Sequence, residues 1–190
     1  MDTVIRPASV RDIPTLALFF MSEGVVEWLY RGAIPDRPTN VIVEHLFTRF
    51  GTPMAFTNCH VADAKGRVLG GVHIALGRDL AEAPADLLVP EERRPAVAPF
   101  GRLRTPDAMH VLSVNVEPQS RGRGIGKMLL TEAETRAKLA GVRKMSLNVR
   151  EDNIGAMRLY TRLGYREAMR ESVVIPNVFD GAILHMIRVF

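Results

Sequence analysis

A glycine-rich turn between a strand and a helix is the feature of this sequence that most restricts its fold. Met109–Val116 is an apolar run typical of a buried strand, and Arg121–Gly126 follows with glycine at every second position. Apolar residues then recur at helical spacing: Leu129, Leu130, Ala133 and Ala137. We expect this helix to end near Ala140, before Gly141. Such a strand–turn–helix unit points to an α/β chain with an anion site, because the first amides of a helix have no partners inside it.

The turn itself combines a bare backbone with positive charge. Glycine lets the backbone approach a ligand closely, and neighbouring cations favour an anion. The turn supplies three of each: Gly122, Gly124 and Gly126, with Arg121, Arg123 and Lys127 beside them. A P-loop is excluded, because Arg121 stands at its first glycine and Met128 replaces its hydroxyl residue. A dinucleotide fingerprint is excluded too, since Lys127 occupies its third glycine position.

A second motif lies farther along the chain. Asn153 opens the block Asn-Ile-Gly-Ala-Met-Arg-Leu-Tyr, which ends at Tyr160, and Leu163-Gly164-Tyr165 follows. Together with Val114-Asn115-Val116-Glu117-Pro118 and Arg121–Gly126, this order of motifs resembles the GNAT superfamily of N-acetyltransferases. The family's signatures are Gln/Arg-x-x-Gly-x-Gly/Ala and Asn-x-x-Ala-x-x-Leu-Tyr. The resemblance covers about residues 109–165.

The resemblance implies an α/β (α+β) GNAT fold, in which a central mixed, mostly antiparallel sheet of about six to seven strands has helices on both faces. The remaining pattern is compatible with that fold. Strands are predicted at Val4–Arg6, Ala55–Val61, Val68–Leu76, Lys144–Val149, Tyr165–Val174 and Ile183–Val189. Helices are predicted from Ser9 to about Phe20, at Thr39–Phe50 and at Asn153–Leu163, and Asp63–Arg67 is predicted to be a hairpin turn.

Residues 1–190 are expected to form a single domain with one irregular interval. This interval, at about residues 77–107, is called the insertion below. It holds five prolines and the charged cluster Glu91-Glu92-Arg93-Arg94. A stretch this long and irregular is typical of a lid or binding loop, and a surface insertion with one or two short helices explains it equally well. Both interpretations stay open from the sequence.

The resemblance also implies a reaction. A neutral amine would attack the thioester carbonyl of acetyl-CoA directly and expel the CoA thiolate, which requires an oxyanion donor, a base and an acid. Backbone groups of Val114, Asn115 and Val116 would lie along the cosubstrate, with the amide of Val114 at the oxyanion. The pyrophosphate would lie at Arg121, Gly122, Arg123, Gly124, Ile125, Gly126 and Lys127.

Three side chains are candidates for the remaining roles. Asn153 would hydrogen-bond the cosubstrate, or else only cap its helix. Tyr160, seven residues later on nearly the same helical face, would protonate the thiolate, or else only pack against the sheet. His110 and Asn148 occupy the strand positions where different family members place a glutamate base. His110 is therefore the candidate base, and the alternatives are a buried histidine without that role and a water molecule.

The acceptor is expected to be a primary amine of a small molecule or a protein. Glu23 and Glu27 lie four residues apart near the first helices, where the family often builds its acceptor site, and would share a face that attracts a cation. Solvated surface is an equal alternative for both. The competing function is a CoA-binding regulatory module with weak or lost catalysis, favoured by the missing carboxylate base and disfavoured by Tyr160.

Charge and composition disfavour other classes of function. The 25 Lys and Arg residues exceed the 21 Asp and Glu residues by only four and are spread along the chain, so nucleic-acid binding is not expected. The histidines show no ligand spacing with cysteines or acids, so no metal site is expected. Cys59 is the single cysteine, which favours a reducing compartment, and no apolar run is long enough for a membrane span. We therefore expect a cytoplasmic protein with no membrane contact. Dimers are common in the family, which leaves a homodimer open.

Overall fold

Residues 3–190, the part of the chain that the structure, a computed structural model, describes, form seven strands and seven α-helices. The strands are β1 (Val4–Pro7), β2 (Cys59–Ala64), β3 (Arg67–Leu76), β4 (Met109–Val116), β5 (Lys144–Arg150), β6 (Arg166–Ile175) and β7 (Phe179–Val189). The helices are α1 (Ile13–Met21), α2 (Val25–Tyr30), α3 (Thr39–Phe47), α4 (Gly77–Glu82), α5 (Arg94–Arg102), α6 (Ile125–Leu139) and α7 (Ile154–Arg162).

The strands form one sheet in the order β1-β2-β3-β4-β5-β7-β6. Every neighbouring pair is antiparallel except β4 and β5, which are parallel. The pairing of these two strands stops at Val111 opposite Leu147, although β4 continues to Val116 and β5 to Arg150. The register between β3 and β4 also shifts at Leu112, a bulge of the kind that bends a strand. The carboxyl halves of β4 and β5 are therefore separated by a gap in the middle of the sheet.

The helices cover both faces of the sheet. Successive residues of a strand face opposite sides, and in β3 the side chain of Leu129 from α6 packs over Gly70 while Leu16 from α1 packs over Gly71. One core cluster joins α6 and α7 to the sheet, and a second joins α1, α2 and α3 to its other face. The predicted fold class is thus confirmed. Among the described residues, no helix has both the length and the apolar character needed to cross a bilayer.

Several predicted boundaries were wrong, each for a local reason. Phe56–Asn58 forms a single 3-10 turn, so β2 begins only at Cys59. Asp63 belongs to the strand and not to the turn, because its carboxylate accepts a hydrogen bond from the amide of Gly66 at 2.7 Å and holds a tighter hairpin. The last strand begins before the predicted Ile183, because the residues that precede it already pair with β6.

The insertion is helical over much of its length and is tied to its surroundings. It contains α4 and α5, and α5 packs against β6. The hydroxyl of Tyr30 donates to Asp86 at 2.7 Å, and the guanidinium of Arg93 donates to the carbonyl of Trp28 at 2.6 Å. Arg102 pairs with a carboxylate of β6 at 2.8 Å. These contacts fix the insertion against α2 and the sheet.

Candidate active site

In the carboxyl half of β4, the backbone N–H and C=O groups of the even-numbered residues face the gap. The amide of Glu117 donates to the carbonyl of Leu69 in β3 at 2.9 Å. Backbone groups alternate between the two sides of a strand, so Asn115 also points toward β3 while Val114 and Val116 point away from it. The guanidinium of Arg121 reaches the carbonyl of Val116 from that side, at 3.2 Å. The amides of Val114 and Val116 are consequently turned toward the gap.

The glycine-rich turn leaves the start of α6 open. Gly122 and Gly124 have φ of 76° and 82°, a left-handed conformation that strains residues with a side chain. Gly124 caps α6 without a side-chain hydrogen bond, and the amide of Met128 is the first to bond back to it, at 3.1 Å. The amides of residues 125–127 therefore have no partner within the helix. They form an uncapped, partly positive helix start next to the gap.

The acidic residue closest to the turn is already compensated. Glu117 accepts a hydrogen bond from the Ser120 hydroxyl at 2.6 Å and pairs with Arg67 at 2.9 Å. These contacts lower the pKa of its carboxyl group, with Ser120 the largest cause and Arg123 adding to the effect. Arg121 and Lys127 are exposed at the turn. The turn thus keeps its positive charge.

Two cavities open along the gap. The first, of about 800 Å³, is called the turn cavity and is lined by the glycine-rich turn, by β4 and by α7. All predicted pyrophosphate residues line it except Arg123, whose charge lies near Glu117 instead. The second, of about 470 Å³, is called the insertion cavity and is lined by the α1–α2 region, the insertion, β4 and β5. Both cavities are lined by the same four residues where they meet: Glu23, Val114, Asn115 and Tyr160.

The sequence matches the pattern of the acetyltransferase (GNAT) family over residues 28–165, well over half of the chain. The chain belongs to the GNAT family.

Two curated relatives match short parts of this GNAT chain. Mycothiol acetyltransferase of Actinosynnema mirum is 42% identical over 55 residues, which is 29% of this chain and 18% of that protein. An uncharacterised N-acetyltransferase of Methanocaldococcus jannaschii is 39% identical over 61 residues, 32% of this chain and 27% of that protein. The chain therefore matches less than a third of the length of either relative.

Solved GNAT-type structures match the whole chain. An N-acetyltransferase from Staphylococcus aureus Mu50 has a TM-score of 0.72 at 19% identity, covering 97% of this chain and 100% of that one. A ribosomal-protein-alanine N-acetyltransferase from Brucella melitensis has a TM-score of 0.64 at 20% identity, with coverage of 98% and 99%. The structure of yncA from Salmonella typhimurium with its cofactor acetyl-CoA has a TM-score of 0.64 at 16% identity, with coverage of 100% and 94%. At these identities the likeness is one of fold.

The GNAT motif residues Asn153 and Tyr160 lie on α7 at the turn cavity. Asn153 caps the helix, since its Oδ1 accepts from the amide of Ala156 at 3.2 Å, and its Nδ2 donates to Glu23 at 3.3 Å. The Tyr160 side chain is buried, and its hydroxyl bonds to no other group within residues 3–190. Burial, and then the charge of Glu23, raise the pKa of Tyr160, so the phenol stays protonated at neutral pH.

His110 is buried at the floor of the insertion cavity. Its Nδ1 lies 2.9 Å from the hydroxyl of Ser146, and its ring stacks on that of His185 with centroids 6.0 Å apart. Burial lowers the pKa of His110 to about 3, and the charge of Arg104 and any proton shared with His185 further oppose a charged ring. The ring is therefore neutral at physiological pH and a weaker base than a solvated imidazole. These features match the alternative of a buried histidine, and its role as a base stays a prediction.

The neighbouring floor residues form a connected polar network. The Oδ1 of Asn148 lies 2.7 Å from Nδ1 of His185, and the Thr105 hydroxyl lies 2.8 Å from Nε2 of the same ring. Because an amide oxygen only accepts, His185 carries its proton on Nδ1 and accepts from Thr105. Burial lowers the pKa of His185, so Asn148 is held by a neutral histidine. Within the described residues, no cluster of three or more His, Cys, Asp or Glu side chains is arranged to hold a metal ion.

The sequence led us to expect that Glu23 and Glu27 share a helical face, but they do not. Gly24 adopts φ of 80° and begins α2, so Glu23 lies in the turn before the helix. Glu27 accepts hydrogen bonds from Thr39 at 3.2 Å and Arg31 at 3.4 Å and lines neither cavity. Glu23 alone is placed at the junction.

The sequence analysis missed two arginines of the insertion that line the insertion cavity. Arg104 is half-buried and donates to the carbonyl of Leu80, and Arg94 is exposed and donates to the carbonyl of Val89 at 3.3 Å. They stand in a proline-rich stretch without periodicity, so no pattern indicated which way they face. The only available signal was the density of arginine within the insertion.

Proposed function

We propose that this GNAT protein is an acetyl-CoA-dependent N-acetyltransferase that transfers acetyl to a primary amine by direct attack. One observation carries the proposal: a cavity suited to a phosphate-bearing carrier meets an apolar cavity at Val114 and Tyr160. A thioester in the first and an amine in the second would meet at the same point. The acetyl-CoA bound in the yncA structure, which has the same fold, supports acetyl-CoA as the carrier.

The turn cavity fits the carrier through its backbone. Its pyrophosphate would accept hydrogen bonds from the open amides of residues 125–127, next to the cations Arg121 and Lys127. The pantetheine arm would pair with the gap-facing groups of Val116 and Val114, because β5 has already diverged there. Asn153 would contribute from the start of α7. The amide of Val114 would then lie beside the thioester carbonyl.

The reaction requires stabilisation of the negative charge that develops on the carbonyl oxygen, and a proton for the departing sulfur. The Val114 amide would stabilise the oxyanion as the amine attacks. Tyr160 would protonate the departing thiolate, because its phenol is protonated and its hydroxyl has no competing partner among the described residues. Burial that raises the pKa of Tyr160 would raise the proton affinity of a thiolate in the same cavity as well. The proton transfer is thereby less uphill than the phenol's raised pKa alone suggests.

We assign the role of the base that accepts the amine's proton to Glu23 and not to His110. Among residues 3–190, Glu23 is the only carboxylate that lines both cavities, and Asn153 donates to it at 3.3 Å. It would attract the ammonium form and accept its proton, directly or through water. His110 has a pKa lowered to about 3 by burial, which weakens it for this step.

We further propose that residues 1–190 act as one domain in which the insertion is a fixed wall of the acceptor site. The wall includes Leu80, Val97, Phe100 and Arg104, which line the insertion cavity. Its ties to α2 and β6 support a wall that is in place before the substrate binds.

Binding and turnover measured separately test the function. We expect calorimetry to show acetyl-CoA binding, and a panel of primary amines to include at least one that releases free thiol. Acetyl-CoA binding with no amine-dependent thiol release across the panel would favour the CoA-binding module. Failure of millimolar acetyl-CoA or CoA to bind the folded protein would reject both.

A further inference from the structure

We propose that the insertion cavity recognises a carboxylate on the acceptor, so that the substrate is a primary amine with a carboxylate at the far end of an apolar body. The inference rests on the proposed function, because it assigns the acceptor of that reaction. It is carried by the position of Arg104, by the charge at the opposite end of the cavity and by the apolar walls between them.

Arg104 is a half-buried cation without a protein anion. Its guanidinium donates to the carbonyl of Leu80, and no carboxylate lies within ion-pairing distance of it among residues 3–190. Arg150 also lines this cavity and donates to the carbonyl of Glu23 at 3.4 Å, but it pairs with Asp152 at 2.6 Å. Within the insertion, Arg102 pairs with Glu171 at 2.8 Å. Removing a charge from water without a counterion is costly. A ligand carboxylate in the cavity would supply the missing partner.

The charge of Arg104 acts on the ring of His110, which lies in β4 away from Val114, where the acetyl group is proposed to bind. Arg104 precedes Thr105, whose hydroxyl reaches His185, and His185 stacks on His110. His110 precedes Val114 by four residues of β4, which is roughly 13 Å along an extended strand. Glu23 is at the Val114 end and lines both cavities, whereas Arg104 lines the insertion cavity alone. The negative charge therefore marks the amine end and the positive charge the opposite end.

The walls between these two charges are largely apolar. They include Phe19, Phe20, Leu29, Val97 and Ile183. Such walls favour a hydrocarbon segment between the amine and the carboxylate and disfavour a second ammonium group there. Arg94 and Arg104 would repel an acceptor that carries several cations, so we do not expect polyamines to be substrates.

Arg94 adds a further guanidinium to the same cavity. It is exposed, and its only side-chain hydrogen bond to the described part of the chain is to the carbonyl of Val89, at 3.3 Å. A guanidinium presents parallel N–H groups that match the two oxygens of a carboxylate, which an ammonium cannot do. Arg104 would hold the carboxylate, and Arg94 would attract it to the cavity.

The test compares two amines that differ only at the far end. ε-Aminocaproate ends in a carboxylate, and hexylamine has a methyl group in its place; hexamethylenediamine, with a second ammonium, is the opposite extreme. With acetyl-CoA in the wild-type protein, we expect kcat/KM for ε-aminocaproate to exceed that for hexylamine by about ten- to a hundredfold, the range for one charged hydrogen-bonded contact. The diamine is expected to be the poorest of the three.

Arg104→Gln isolates the proposed contact. It should remove the preference by lowering kcat/KM for ε-aminocaproate far more than that for hexylamine, while acetyl-CoA affinity is kept. Arg104→Lys should restore the preference only in part, because it keeps the charge and loses the fork. Arg78→Gln is the matched control, since Arg78 belongs to the same insertion, is exposed and lines neither cavity. If Arg104 acts only in folding, Arg104→Gln would lower kcat/KM equally for both amines, and that result would overturn the proposal.

Calorimetry on the CoA-loaded protein separates this inference from the proposed function. Selective binding of ε-aminocaproate that is lost in Arg104→Gln, without any thiol release, would support the inference and contradict the acetyltransferase function. Thiol release with equal efficiency for both amines would support the acetyltransferase function and contradict the inference about the acceptor. If Arg104→Gln instead lowers turnover of succinyl-CoA and leaves the acceptor preference intact, the carboxylate belongs to the acyl group and the proposal is wrong.

Discussion

The turn cavity and the insertion cavity meet at the same point but are built in different ways. About half of the residues that line the turn cavity come from the single stretch 114–127, which presents the gap-facing backbone of β4 and the open amides of α6. The insertion cavity is made mainly from side chains, which come from the α1–α2 region, the insertion, β4 and β5. A site made from the backbone of one stretch needs only a local conformation. A site made from side chains of distant segments needs the whole fold to bring them together.

This difference predicts how each cavity responds to change. Backbone groups that bind a ligand are insensitive to most substitutions, so the turn cavity should fail only where a new group enters its space. Side chains can be replaced one at a time, so the insertion cavity should change its choice of acceptor while the carrier still binds. Substitutions in each cavity test this contrast.

Gly126→Asp should remove acetyl-CoA binding without loss of stability. Gly126 has no positive φ, and an added Cβ would lie 3.4 Å from Leu159, an ordinary contact. A carboxylate in the first turn of α6 should stabilise the helix by about 0.3–1 kcal/mol. The same charge lies where the pyrophosphate is proposed to bind, and like charges at close range cost several kcal/mol, so affinity should fall more than about a hundredfold.

Gly126→Ala is the control, because it adds the carbon without the charge and should weaken binding only slightly. Calorimetry measures the affinity of both variants, and thermal unfolding measures their stability. If Gly126→Asp binds acetyl-CoA as tightly as Gly126→Ala, the pyrophosphate does not lie at the start of α6.

Tyr160→Phe should lower kcat by about a hundredfold, the lower part of the usual range for a general acid. Acetyl-CoA affinity should stay within a factor of two or so, since the ring remains and only the hydroxyl is lost. Tyr165→Phe is the control: its ring lies 5.9 Å from that of Tyr160, but it lines neither cavity. Stopped assays of thiol release at saturating acetyl-CoA give kcat. If the two variants are equally active, Tyr160 only packs against the sheet and does not donate a proton in the reaction.

The same contrast explains what the sequence could and could not predict. Gly122, Gly124 and the strand before them form a local pattern, so their place at the start of α6 and beside the gap was accessible from the sequence. Arg104 was not, because no periodicity in the insertion fixes which way it faces. The separation of Glu23 from Glu27 was also hidden, since it depends on Gly24 breaking a helix that the apolar pattern would have allowed to continue.

Glu23→Gln should lower kcat/KM for the amine by about tenfold, less than a usual general base contributes, because water can replace the carboxylate. The amide keeps an oxygen that accepts from Asn153, so acetyl-CoA affinity should hold. Glu27→Gln should have no effect on either quantity, because Glu27 lines neither cavity. Amine titrations at fixed acetyl-CoA provide the comparison. Identical kinetics for the two variants would remove Glu23 from the reaction and return His110 to the front of the candidates.

The smallest effect concerns the polar floor of the insertion cavity and appears in stability. Burial lowers the pKa of His110 to about 3 and that of His73 to about 4, below the value near 6.5 in an unfolded chain. Between these values the unfolded state binds more protons than the folded state, so the free energy of unfolding must fall as the pH falls below about 6.5. Each such histidine contributes up to about 1.4 kcal/mol per pH unit in that range.

His110→Gln should therefore flatten the dependence of stability on pH, whatever it does to stability at pH 7. Urea unfolding at several pH values between neutral and mildly acidic gives the slope for each protein. His45→Gln is the control for replacing a histidine, because His45 is exposed on α3 and lines neither cavity. A slope for His110→Gln equal to that of the wild type would mean that His110 titrates normally in the folded chain. The insertion cavity would then contain an imidazole with the basicity that catalysis needs, and the assignment of the amine's proton to Glu23 would have to be reversed.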